Sequence, residues 1–164
     1  MFYIFFALTV LLSLFLVWIG ANLYAIFYLT HRAEVIIGRI LVLLQKKHGL
    51  INRFMNEIVI IDENQKKAAF EVREMERLIE GEKALGRQII LEDGVDLKLS
   101  LIAEALSEKS LGYQTLTEIK KTATEIAEEK ERYNRIVAKL EGLYKKKVIK
   151  NLITAFHIKT LEKM

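Results

Sequence analysis

Residues 116–144 read LTEIKKTATEIAEEKERYNRIVAKLEGLY. Leu116, Ile119, Ala123, Ile126, Lys130, Tyr133, Val137, Leu140 and Tyr144 follow one another in steps that alternate three and four, with a single lysine in the series. Residues at that spacing line one face of an α-helix and form a heptad seam. The opposite face, Glu118, Lys121, Glu125, Glu128, Glu129 and Lys139, is charged and suits water. A stripe of this kind is the packing face of a helical bundle, not a cofactor box.

Upstream of the seam the same period recurs. Ala33, Ile37, Ile40 and Leu44 step by three and four, and Ile51, Phe54 or Met55, Ile58, Ile61, Ala68, Val72, Met75 and Ile79 carry the pattern onward; Gly49 is the one candidate seam in the ladder, with a continuous helix through it the equal alternative. Between the two ladders, GEKALGRQIILEDG at 81–94 holds three glycines and closes on Asp93-Gly94. It is expected to be a turn region with at most a short helical piece. As helices, residues 31–81 would span about 75 Å and residues 95–147 about 80 Å, so the outgoing and returning arms match. Two long arms satisfy this, and so does a four-helix bundle folded near Gly49 and Gly112. The chain has no proline to break a helix, so the expected class is all-α. It also has no cysteine, which excludes disulfides, thiolate metal sites and a cysteine nucleophile.

The first thirty residues contain no Asp, Glu, Lys or Arg, although the chain holds 25 basic and 21 acidic residues. FYIFFALTVLLSLFLVWIGANLYAIFYL, Phe2 to Leu29, exceeds the roughly 20 residues that cross a bilayer core of about 30 Å. A transmembrane anchor over 1–30 is expected. A cleaved signal peptide would have a basic start and a shorter apolar stretch. Trp18, Tyr24 and Tyr28 lie toward its inner end, where aromatic side chains favour headgroups, and Arg32, Arg39, Lys46 and Lys47 follow on that flank only. The positive-inside rule then places the N-terminus outside and the helical body, 31–147, in the cytoplasm. The remainder, 148–164, is a basic amphipathic tail. Ile149, Leu152, Ile153 and Phe156 share a helical face beside Lys145, Lys146, Lys147 and Lys150. If the returning arm matches the outgoing one, those lysines reach the level of residue 31, and the tail is expected to lie on the headgroups; the alternative is that the same apolar residues cap the bundle core.

The stretch LQKKHGLI, residues 44–51, followed by NRFMNEI, resembles the LemA family, in which a leucine, a polar residue, two basic residues, a variable pair and Leu-Ile stand just beyond an N-terminal membrane helix. Here these are Leu44, Gln45, Lys46, Lys47, His48, Gly49, Leu50 and Ile51. TEIAEEKERYNRIV, 124–137, is similar to the family's last long helix, with its Tyr133-Asn134 pair, and NLITAFHIK resembles its tail. Asn52 stands where the family usually has proline, and the middle of the chain, 81–112, is shorter than in the family. The resemblance implies an N-terminal transmembrane helix and an antiparallel bundle of three or four long helices in a bacterial membrane. It brings no catalytic motif.

No enzyme motif emerges from the residues either. None of His31, His48 and His157 has Asp or Glu three residues before it, so a bundle carboxylate metal site lacks its pattern. His48 has no acidic residue at helical spacing, and there is no phosphate-binding glycine loop. Glu128, Glu129 and Glu131 read as a solvated face. At a pI near 9.2 the basic excess is local and lacks interleaved aromatics, so no specific nucleic acid is expected. No catalytic, cofactor or metal residue is therefore assigned. The expected partners are the lipid bilayer and other membrane or membrane-associated proteins, with a homo-oligomer left open. The favoured role is a non-catalytic interaction or scaffold protein. The alternative is a bundle enzyme or metal carrier with Glu104, Glu108, Glu118 or Glu125 as inward ligands.

Overall fold

The computed structural model describes residues 2–58, 63–82, 84–103, 110–155, 160, 161 and 164, and among these no strand occurs. Five helices follow in order: α1 Phe2–Glu57, α2 Glu63–Gly81, α3 Leu85–Ala103, α4 Leu111–Tyr144 and α5 Lys147–Ala155. The class is all-α, as the periodicity requires.

Helix α1 runs unbroken through Gly49, which decides between the break and the continuous helix left open there in favour of the latter. A mid-helix glycine costs only about 1 kcal/mol, which the flanking Leu44, Ile51 and Phe54 offset by burial. The buried stripe passes through Ile36, with Ile37 half-buried beside it. A second departure lies at 81–94. The helix does break there, between Gly81 and Leu85, but the rest of the segment belongs to α3, which starts at Leu85 and continues through Gly86 and Gly94. Its start is held locally: the Glu82 carboxylate accepts from the Ala84 amide at 2.9 Å, and the Gln88 amide group donates to the Glu82 carbonyl at 2.6 Å. Glycine tolerates a helix interior at modest cost, and Ile89, Val95, Leu99 and Ile102 supply a buried face that offsets it. At the start of α4, the Ser110 hydroxyl accepts from the Tyr113 amide at 3.2 Å and serves as an N-cap, and the helix then runs through Gly112.

The chain forms two compact units, one of Arg39–Lys130 and one joining Met1–Gly38 to Glu131–Lys163. In the first, four helices contribute to one core: Ile51, Phe54 and Met55 from α1, Ala68, Ala69, Val72 and Ile79 from α2, Val95, Leu99 and Ile102 from α3, and Leu116 and Ile119 from α4. In the second, Asn22, Ile26, Ala33 and Ile36 of α1 are buried, as are Tyr133, Ile136, Val137 and Leu140 of α4 and Ile149 and Ile153 of α5. The heptad seam is thus a core face along α4. One residue assigned to its wet side is not: Glu129 is 9% exposed, with Arg39 3.9 Å away. In a straight helix a seven-residue repeat drifts by about 20° per heptad, which carries Thr122 and Glu129 inward while Ala123 and Lys130 become half-buried.

Among the described residues one helix, α1, is long and apolar enough to cross a membrane; its most apolar window has a mean hydropathy of 2.5, and none of that window is buried within the molecule.

Candidate functional site

Among the polar groups buried in the described residues are those around Lys47 and those around Asn22, one set in each unit. The first is centred on Lys47. This lysine stands three residues after Leu44 and four before Ile51, so it occupies a core position of the α1 ladder, and it is 1% exposed. A buried ammonium must be paired, because its desolvation costs several kcal/mol. Helix α3 provides the partners. Lys47 Nζ lies 2.7 Å from Glu92 Oε2 and 2.8 Å from Asp96 Oδ1. The other oxygen of Glu92 meets Nε2 of His48, the next residue along α1. Lys46 points to water, as at least one of three consecutive polar residues must.

The electrostatics follow from this geometry. The hydrogen bond to Glu92 holds the His48 pKa above its ordinary 6.5, with smaller help from Glu76 and against the effect of burial. Burial is the largest influence on Glu92 and pushes its carboxyl up, but His48 and Lys47 together outweigh it and hold it below the usual value. Burial pushes the carboxyls of Glu76 and Asp96 up. Beside the cluster lies a cleft of about 70 Å³, lined by Leu44, Lys47, Ile89, Glu92, Ile126 and Lys130 among others. That is space for on the order of five waters. The charges largely neutralise one another, an ammonium and an imidazole facing two carboxylates. Chemically the cluster can ionise and lock helices together.

The second site joins α1 to the bend between α4 and α5. Lys146 Nζ donates to Asn22 Oδ1 at 2.8 Å and sits 5.6 Å from the centre of the Trp18 ring. Asn22 in turn donates to the Trp18 carbonyl at 2.7 Å and is 8% exposed. The lysines were expected at the level of residue 31; Lys146 lies instead at Trp18 and Asn22. Of the tail's apolar face, Ile149 and Ile153 are buried while Lys150 is exposed, which fits the alternative in which these residues cap the core.

The remaining residues singled out in the sequence are distributed as follows. Leu44 and Ile51 are buried and Leu50 is half-buried; Tyr133 is buried and Asn134 half-buried. Trp18 is 40% and Tyr28 50% exposed, and the Arg32 guanidinium lies 5.8 Å over the Tyr28 ring. Lys145 is exposed; the side chain of Lys147, and Glu104, Glu108, Phe156 and His157, lie outside the described residues. Glu118 is exposed and Glu125 half-buried, so Glu118 does not point inward. Among the described residues no group of three or more His, Cys, Asp and Glu side chains could hold a metal.

Sequence reading missed Glu92, Asp96 and Glu76. Glu92 stands three residues from both Ile89 and Val95, a carboxylate on an apolar ladder, but treating 81–94 as a turn hid the ladder. The acidic partner of His48 comes from 44 residues away, where helical spacing cannot reach.

Compared with family models, with curated proteins and with solved structures, the chain has no match.

Proposed function

We propose that the chain is a membrane-anchored, non-catalytic interaction protein of LemA type, with its N-terminus outside and its helical body on the cytoplasmic side. The observation that carries the reading is the apolar window of α1, which nothing in the molecule covers. Large side chains such as Phe5, Leu11, Leu14 and Val17 stand more than 60% exposed, and at about 1.5–3 kcal/mol each their hydration would cost on the order of tens of kcal/mol over the helix. A bilayer removes that cost. The family resemblance fits a structural role for its signature, whose Leu44, Lys47 and Ile51 are all spent on packing and pairing.

The docking role is supported by α3. Its inner face is used in the core, while Ile90, Leu97 and Leu101, 69%, 64% and 47% exposed, repeat at seven and four along its outer face. That stripe suits a partner helix. The self-neutralised cluster around Lys47 favours this reading over a reactive centre.

The chain has no natural cysteine, which makes it convenient for labelling. With full-length protein in cells, Lys121→Cys should resist a membrane-impermeant maleimide until the membrane is opened. A photo-crosslinker at Leu97 should capture a defined neighbour that one at Lys121 does not. Ready labelling in intact cells reverses the topology; recovery of the chain in the soluble fraction, or identical crosslinks from both positions, removes the anchor or the docking face respectively.

A further inference from the structure

The apolar run Phe2–Leu29 is about 42 Å long as a helix, some 12 Å more than a hydrocarbon core needs. The molecule itself shows which part is surplus. From Phe2 to Trp18 the described side chains are all exposed. At Asn22 burial begins, with Asn22 at 8% and Ile26 at 0%. In this unit the segments that can cover α1 there are the end of α4 and α5, and the Lys146 contact with Asn22 and Trp18 fixes that level.

A lysine ammonium does not rest in hydrocarbon; it costs about 2.5–3.5 kcal/mol or more at the centre and snorkels to the interface. Where Lys146 Nζ sits, polar headgroups must be within reach. Lys145 and Lys150, both exposed, flank it. Trp18 beside it is the one tryptophan of the chain and the residue type most at home at that boundary. On the uncovered side of α1 beyond this level stand Tyr24 and Tyr28, stacked with ring centres 6.4 Å apart, and then Arg32 over Tyr28.

We propose that the body-side edge of the hydrocarbon lies at Trp18–Asn22, not just before His31, and that Lys145, Lys146 and Lys150 form a collar there for the phosphates of anionic lipids. The membrane-embedded part is then Phe2 to about Ala21, close to 30 Å. Residues 22–30 stand in the headgroup layer as an aromatic rod clamped by the C-terminal helices. The inference rests on the anchor reading above and adds the depth at which the anchor is held.

The single tryptophan makes the depth measurable. With the edge at Asn22, Trp18 lies about 9 Å from the bilayer centre; with the edge at Leu29 it lies within about 2 Å of it, at 1.5 Å of rise per residue. Full-length protein is reconstituted into vesicles of phosphatidylcholine and phosphatidylglycerol whose chains are brominated either near the glycerol or near the chain end. Trp18 fluorescence should be quenched most by the shallow bromines. Lys146→Met should move the maximum toward the chain-end bromines, and Lys146→Arg should leave it shallow. Strongest quenching of the unaltered protein by chain-end bromines overturns the proposal, and an unchanged depth in Lys146→Met removes the collar's role in setting it. Quenching by neither lipid means that Trp18 never enters a bilayer, and it is the anchor itself that fails.

Discussion

Replacing Lys47 by Met probes the buried cluster most directly. The ammonium is 1% exposed and sits 2.7 Å from Glu92 and 2.8 Å from Asp96. At an effective dielectric near 20, charges that close attract by about 6 kcal/mol gross each. The Asp96 contact counts for less, because 36% of that side chain meets water. Desolvation of the ammonium and of Glu92 consumes most of the gross attraction, so the intact pair adds little net stability. Removing one partner is another matter. Glu92, 3% exposed, would keep His48 but lose its permanent cation, and such an uncompensated buried charge costs about 3–5 kcal/mol.

The expected result for Lys47→Met is therefore a loss of about 3 kcal/mol near pH 8, where His48 is least charged. The loss should be smaller near pH 5, where His48 is protonated and Glu92 takes up a proton more readily. Urea unfolding of the full chain in detergent micelles, followed by circular dichroism at both pH values, measures it. Lys47→Met combined with Glu92→Met should be more stable than Lys47→Met alone, because both charges leave together. A loss below about 0.5 kcal/mol in the single variant, or a double variant that is simply additive, would refute the account of Lys47 as a buried, paired core residue.

Three further outcomes follow from the same packing. His48 binds its proton more tightly when folded, since its pKa is raised above 6.5 chiefly by Glu92; its stabilisation is complete below pH 6.5 and is lost as the pH rises through the folded value. His48→Gln should flatten that decline in a pH series of unfolding midpoints, and an unchanged slope would show that another group titrates. Leu140→Ala should cost about 2–5 kcal/mol against at most about 0.5 for exposed Lys139→Ala, and equal melting shifts would mean that the α4 seam is not a core. Gly49→Ala, where an added Cβ meets nothing within 4 Å, should stabilise α1 by about 0.5–1 kcal/mol; destabilisation would indicate a bend at that residue.

The helical class and the α4 seam were legible because a run of apolar residues at three and four spacing has few other readings. The level of burial within the seam was less so, since Glu129 turns inward only through the slow drift of a straight helix against a seven-residue repeat. Helix α3 was hidden by Gly86 and Gly94, residues that usually mark turns and are tolerated here because Ile89, Val95, Leu99 and Ile102 bury one face. Of the buried cluster, Lys47 was visible in principle as a lysine on a ladder position between Leu44 and Ile51. Its partners were not, because which carboxylate meets it depends on how α3 lies against α1, and no local pattern encodes that.

The same ladder positions indicate what the cluster contributes. Aliphatic stripes on α1 and α3 offer several alignments of similar energy, since leucine, isoleucine and valine exchange neighbours at little cost. Charges at Lys47, His48, Glu92 and Asp96 do not. Only an alignment that brings the ammonium to both carboxylates and the imidazole to Glu92 leaves no buried charge alone. Selecting one alignment is a different effect from adding stability, and the double Lys47→Met and Glu92→Met variant separates the two. It should hold its helix content and its unfolding midpoint near the unaltered chain's while its transition broadens and its amide protons exchange faster, as several packings become populated. A transition as sharp as the original would assign the register to the aliphatic stripe alone.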